Sequence, residues 1–205
     1  SVIGTGKRVG KTAVTVHLAH LLARDRTVVV VAMGRGGPEA PEVVETAPTV
    51  EELAARSRDG RHAASDHLEI AALAGVPTIG CRRAGGGLAG AVFTSNVAAG
   101  AALAAERRPD VVVFDGSGAA IPPVAVDRRV LVVGRGQRAD DYLNTYRRLI
   151  SDVVVEEPEL RLRPTAPLEG RVAVFTAGAT DVSHLDADVV HVSTSLSNRE
   201  TLRAD

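Results

Sequence analysis

Hydrophobic residues in this chain gather in unbroken, branched runs instead of alternating with polar ones. Such runs occupy 27–33, 111–115, 129–134, 171–176 and 189–193, and residues 1–4 read as the closing part of another. A strand that is apolar on both faces belongs to a parallel sheet covered by helices on each side. Between the runs lie Ala- and Leu-rich segments at 11–25, 50–57, 66–74, 94–107 and 140–151, with a shorter one at 182–185, whose residues favour helix. Their alternation predicts an α/β fold: a doubly wound, mostly parallel sheet flanked by helices, in a single domain over residues 1–205. Its ligand crevice is expected at the carboxyl ends of the strands.

Glycine and polar clusters sit where that crevice needs them. They follow strands at Gly4-Thr5-Gly6, Gly34-Arg35-Gly36-Gly37-Pro38, Asp115-Gly116-Ser117-Gly118, Gly134-Arg135-Gly136-Gln137 and Thr176-Ala177-Gly178. The stretch 154–168, with acids and the prolines Pro158, Pro164 and Pro167, reads as a loop with a short edge strand.

One of these clusters carries specific chemistry. Gly4-Thr5-Gly6-Lys7-Arg8-Val9-Gly10-Lys11-Thr12 follows a strand and opens a helix, the context in which a glycine-rich run grips phosphate. Glycines let successive N–H groups converge on phosphate oxygens, Lys11 neutralises the β- and γ-phosphates, and the Thr12 hydroxyl suits Mg2+. Gly4, Thr5, Gly6, Val9, Gly10, Lys11 and Thr12 are thus expected to hold ATP, although Thr5 stands where such P-loops usually open with glycine. Lys7 and Arg8, inside the loop, can reach phosphate or a partner surface. The apolar run 111–115 ends in Asp115, expected to join Thr12 in holding Mg2+. An Asp before Gly116 is also an ordinary way to begin a turn.

Two further loops hold more charge than a turn requires: Arg35 to Glu39 after the second strand, and Cys81-Arg82-Arg83-Ala84 followed by Gly85, Gly86 and Gly87. Arginine grips phosphate bidentately and glycine lets backbone approach, so Arg35, Glu39, Arg82, Arg83, Gly85 and Gly86 form a candidate polyanion site. Lys11, Lys7, Arg8, Arg82 and Arg83 are the expected catalytic cations. His62, His67 and Asp66 offer acid/base groups without metal-ligand spacing, and a helix cap near Asp66 is the plainer role. Late strand ends, 176–180 and 193–198, are positions where a nucleotide base could lie.

Composition removes other classes. The chain has 205 residues, is 45% hydrophobic and only 2% aromatic, and balances 24 basic against 25 acidic residues. A net charge of -1 supplies no global field toward nucleic acid or an anionic membrane, so any anion site is local. Cys81, alone, makes no internal disulfide, and no run is long enough to span a bilayer, which makes a cytoplasmic protein the expectation. A strand without its beginning, a missing initiator Met and a helix-like end suggest a fragment of a longer chain. A small phosphorylated acid is the expected partner, neither nucleic acid nor membrane is, and a homodimer is left open.

The loop length and its Gly-Thr opening resemble the dethiobiotin synthetase branch of P-loop proteins. More closely, residues 4–12, the Arg35 and Arg82-Arg83 loops and Asp115-Gly116-Ser117-Gly118-Ala119-Ala120-Ile121-Pro122-Pro123 resemble the cyclic 2,3-diphosphoglycerate synthetase family. The resemblance covers most of residues 1–134. It implies an ATP- and Mg2+-dependent ligase that closes 2,3-diphosphoglycerate into an intramolecular phosphoanhydride, releasing ADP and phosphate. Alternatives are a carboxylate-activating ligase of the dethiobiotin type, a phosphoglycerate kinase-type enzyme, and an ATPase switch of the partitioning kind.

Overall fold

The structure, a computed structural model, describes residues 1–61, 65–86, 89–156, 167–176 and 182–192. They fall in two compact units, Ser1–Pro158 and Glu159–Asp205. The anticipated doubly wound sheet lies in the first, and no boundary near 158 was expected from the sequence.

In the first unit the chain runs β1 (Val2–Gly4), α1 (Lys11–Leu22), β2 (Val28–Gly34), β3 (Glu42–Val44), α2 (Val50–Arg58), α3 (Asp66–Ala74), β4 (Thr78–Ala84), β5 (Thr94–Ser95), α4 (Val97–Glu106), β6 (Val111–Asp115), β7 (Val130–Val133), α5 (Tyr142–Leu149) and β8 (Val153–Glu156). The sheet order is β3-β4-β2-β6-β1-β7-β8, with β5 beside β4. Pairings along β4-β2-β6-β1-β7-β8 are parallel, whereas β3 and β5 join β4 antiparallel. In the second unit β9 (Ala173–Thr176) and β10 (Val189–Val192) pair in parallel, and the described residues between them include a 3-10 turn at Ser183–Leu185.

The continuous apolar runs are explained by burial on both faces. Val28, Val30 and Ala32 of β2 pack with Ala19 of α1 and with Ile70 and Ala74 of α3. Val29, Val31 and Met33 turn to the opposite side, onto Val97 and Ala104 of α4. Side chains alternate along a strand, so only an apolar run feeds both layers.

Two expectations need correction. The segment holding Arg82 and Arg83 is not a loop but the end of β4, an interior strand paired with β2 from Val30↔Thr78 to Gly34↔Arg82. Its apolar signal is broken by Gly80 because His67 of α3 packs flat on that position: a Cβ there would come within 2.5 Å of His67 Cγ. The helix anticipated from 94 starts at Val97, since Thr94 and Ser95 pair with Ala84 and Arg83. The short edge strand expected in the stretch 154–168 is present as β8, which begins at Val153 and pairs with β7 at the end of the sheet.

Candidate functional site

The phosphate loop is held by its neighbours. The Val9 side chain is buried between two glycines, because a Cβ on Gly4 would come within 2.7 Å of Val9 Cγ2 and one on Gly134 within 2.6 Å of Val9 Cγ1. Val9 thus serves the loop as a packing anchor. Thr5, in place of the usual glycine, donates its hydroxyl hydrogen to Gln137 Oε1 and accepts from the Gly134 N–H at 3.2 Å. That hydroxyl ties the phosphate loop to the turn after β7. Arg8 at φ 59° and Gly10 at φ 95° bend the backbone through the left-handed region before α1. The helix opens with neither a side-chain cap nor an acidic residue in its first turn, so its amides remain available to an anion.

Beside the loop lies a cleft of about 290 Å3, whose described lining includes Lys7, Arg8, Lys11, Thr12, Arg35, Asp66, Asp115 and the backbone of Gly34–Gly37 and Gly116–Gly118. The switch in strand order explains its place: β1 sits between β6 and β7, and crevices form where neighbouring connections diverge. Lys11, buried, donates to the Gly6 carbonyl at 2.8 Å. Burial draws its pKa below the ordinary value, and Asp115 and Asp66 oppose that. Asp115 is 2% exposed and accepts from the Thr15 hydroxyl at 2.8 Å. Burial, with Asp66 and Glu69 adding, pushes its pKa up to about 7 against the Thr15 bond and Lys11.

Asp66, named among the acid/base groups but read more plainly as belonging to a helix cap, was not expected beside the phosphate loop. In sequence it is an acid at a helix start, indistinguishable from a cap, yet in three dimensions it lines the cleft with Asp115. The packing is close: a Cβ on Gly34 would stand 3.0 Å from its Oδ2. The oxygens of Thr12, Asp66 and Asp115 form a donor set suited to a hard divalent cation. Such a charge would also relieve the repulsion between the two carboxylates.

The paired arginines are separated by the strand they share, since successive residues point to opposite faces. Arg82 Nε donates to the Gly37 carbonyl at 2.9 Å, and its own N–H donates to Asn96 Oδ1 at 2.6 Å. Asn96 Nδ2 in turn donates to the carbonyls of Pro38 at 3.1 Å and Glu39 at 2.9 Å. Arg82 and Asn96 therefore pin the loop that presents Arg35. Arg83, buried, donates to Gly85 O at 2.6 Å and to Ser117 O at 2.9 Å. Its Nε has no hydrogen-bond partner among the described residues. Burial lowers its pKa, Arg35 lowers it further and Asp66 raises it, so the three charges share one neighbourhood. Arg82, Arg83, Glu39, Gly85 and Gly86 are not among the residues lining the cleft itself.

The remaining candidates lie elsewhere. His67 is buried 3.7 Å from Glu42, which also pairs with Arg56 at 2.7 Å, and burial lowers its pKa. Cys81 is buried and its thiol is pushed up to about 11, which leaves it inert at neutral pH. His62, Gly87 and most of the late strand ends at 176–180 and 193–198 fall outside the described residues. No described helix is long and apolar enough to cross a membrane.

A lysine and a strand-end carboxylate beside a glycine-rich turn, on an open, mostly parallel sheet, define the protein's class: a phosphate-loop nucleotide-binding α/β domain. Its family follows from comparison. A family model described as the cyclic 2,3-diphosphoglycerate synthetase P-loop domain matches residues 1–160. The cyclic 2,3-diphosphoglycerate synthetase of Rubrobacter xylanophilus is 46% identical, with all of this chain and 57% of that protein covered. That of Methanothermus fervidus is 37% identical, with all of this chain and 55% of that protein covered. That of Thermococcus onnurineus is 48% identical, over 76% of this chain and 37% of that protein. The chain belongs to the cyclic 2,3-diphosphoglycerate synthetase family, and it spans just over half the length of the first two of these curated relatives.

Proposed function

We propose that the chain supplies the ATP site of a cytoplasmic ligase that closes 2,3-diphosphoglycerate into its cyclic anhydride. The observation that carries this reading is the gathering of Lys7, Arg8, Lys11 and Arg35 with Asp66 and Asp115 around one cleft beside an uncapped helix. Transfer between polyanions needs counter-charge for phosphates that repel one another, and the cleft holds it in fixed positions.

In the proposed reaction an oxygen of one acceptor phosphate attacks the γ-phosphorus of ATP, and the bond to the ADP oxygen breaks. An oxygen of the second acceptor phosphate then attacks the activated phosphorus of the first, closing the ring and expelling inorganic phosphate. The sum is ATP plus diphosphoglycerate to ADP, phosphate and the cyclic product. Lys11 and the loop amides meet the β- and γ-phosphates, and Arg35 faces the acceptor from across the cleft. Arg83 steadies the Ser117 turn and adds positive potential from beneath. Thr12, Asp115 and Asp66 would hold Mg2+, which would supply counter-charge to the phosphates during transfer.

The test is phosphorus NMR of the full-length protein with ATP, Mg2+ and 2,3-diphosphoglycerate. Cyclic product, ADP and free phosphate in equal amounts support the reading. A γ-phosphoryl group retained on the acceptor indicates a kinase, and phosphate release indifferent to acceptor indicates an ATPase switch.

A further inference from the structure

Helix α5 is packed inside out. Its two buried positions are polar, Asn144 and Arg147, whereas Tyr142 and Leu149 on it are largely exposed. Residues three apart share a helix face, so here the interior face carries the polar side chains. A leucine would be the ordinary occupant of either place, and a buried guanidinium is costly to desolvate unless its donors are used. Asn144 serves its own surroundings, donating to the Arg138 carbonyl at 3.0 Å. Arg147 reaches further.

Its Nε and Nη2 both donate to the Ala119 carbonyl, at 3.1 and 2.8 Å, while Nη1 donates to the Leu143 carbonyl of its own helix. Ala119 belongs to the turn after β6, and in the sheet β1 stands between β6 and β7, the strand that leads into α5. The contact therefore crosses β1 to reach the cleft side. The turn closes where the Ala120 N–H donates to the Ser117 carbonyl at 3.0 Å, with Gly118 at φ 60° as its first central residue. Arg83 holds the same turn from β4, donating to the Ser117 carbonyl at 2.9 Å. Two buried guanidiniums, one from each side of β6, thus fix carbonyls two residues apart. The turn begins directly after Asp115, and Gly116, Ser117 and Gly118 line the cleft. Neither the Gly118 N–H nor the Ala119 N–H has an acceptor among the described residues.

We propose that Arg147 is a positioning residue for the reaction in the cleft: acting with Arg83, it holds the Ser117–Ala120 turn in one conformation and so sets the rate of phosphoryl transfer. The inference rests on the proposed ligase reading and deepens it. Arg147 is not among the residues lining the cleft, so it acts through the peptide it grips. With the carbonyls held from behind, the amides at the tip remain as donors in a fixed place, and donors fixed before reaction need no reorganisation during it. Lysine replaces the clamp only in part, because an ammonium on a flexible stem lacks the planar fork that places two donors on one carbonyl.

The experiment uses the full-length protein with Arg147→Met, which keeps the bulk and removes the donors, Arg147→Lys, and Arg83→Ala alone and combined with Arg147→Met. Melting curves set an assay temperature at which every variant is folded. Formation of the cyclic product, with each substrate varied in turn, should show kcat lowered about tenfold in Arg147→Met, the scale of one lost charge-assisted contact, with the KM for ATP unchanged. Arg147→Lys should recover part of that loss. Because both arginines grip one turn, the double variant should lose less than the product of the single losses. Hydrogen exchange over residues 116–121 should quicken in Arg147→Met before any ligand is added. An unchanged kcat in folded Arg147→Met, a change confined to the KM for ATP, or losses that simply multiply would make Arg147 a packing residue and overturn the inference. If Arg147→Met does not fold, Arg147→Lys decides: a lowered kcat at constant KM for ATP supports the inference and a normal one overturns it. A wild type that forms no cyclic product would defeat the proposed function, and the inference with it, before any variant is compared.

Discussion

The Thr15 hydroxyl, one turn into α1, donates to the buried Asp115 carboxylate at 2.8 Å across 100 residues of sequence. The bond orients one carboxylate oxygen and leaves the other for the cleft that Asp115 lines. Burial pushes the Asp115 carboxyl up from the ordinary 3.8 to about 7, so burying it is favourable when protonated. Its contribution is present at low pH and lost as pH rises from about 4 to 7, where ionisation must occur in a buried setting. Asp115→Asn should therefore stabilise the metal-free protein at pH 8 and have little effect near pH 4, while abolishing the response of activity to Mg2+. Denaturation with a chelator present, set against Mg2+ titration of turnover, measures both. Equal stability at pH 8 would deny the buried charge.

Lys11→Ala should lower ATP-dependent turnover by at least about a hundredfold, the scale of losing a fixed donor to developing charge. The Lys11 side chain fills the base of the loop, with its Cδ 2.8 Å from where a Cβ on Gly4 would sit, so a melting curve must accompany the kinetics. Retained turnover in a folded variant would reject the phosphate-loop assignment.

The two arginines should behave differently. Arg83→Ala removes the donors to Ser117 and a buried cation near Arg35, so acceptor kcat/KM should fall about tenfold to a hundredfold while the KM for ATP holds. Arg82→Ala loosens the Gly37 turn that presents Arg35, and its effect should be smaller and fall on the acceptor KM. Steady-state kinetics with each substrate varied separates them. Identical profiles would mean that strand geometry does not divide their roles.

Gly37→Ala should destabilise the fold by about 2–3 kcal/mol, the range of overpacking against structure that cannot yield. A Cβ there would lie 2.0 Å from the Cys81 carbonyl oxygen, which is backbone of β4 and has no room to move. Chemical denaturation of the variant checks this, and a loss below 0.5 kcal/mol, the scatter of an ordinary surface change, would reject the close approach.

The Cys81 thiol, raised by burial from 9.0 to about 11, should not react with Ellman's reagent in the folded protein at pH 8. Because the folded pKa is the higher one, its contribution to stability is full below pH 9 and lost as pH climbs toward 11. Labelling rates followed beside unfolding rates provide the measurement, and rapid labelling of folded protein would contradict the burial.

The sequence by itself determined the parallel α/β architecture, the phosphate loop with Lys11 and Thr12, and the strand-end Asp115. These are local signals: apolar runs as long as a strand, and a spacing of glycine and lysine that acts within a single turn. What it hid depends on contacts between distant segments. β4 was obscured because Gly80 leaves room for His67, and Arg82 and Arg83 read as a charged loop because their partners, Gly37 and Ser117, are tens of residues away. Asp66 looked like a helix cap until α3 brought it against Gly34 and the cleft. Thr5 looked like a defect in the loop until β7 supplied Gly134 and Gln137 to its hydroxyl. Local order follows from neighbours in the chain, whereas burial, pKa and the convergence of charge follow from neighbours in space, and only the tertiary structure decided those.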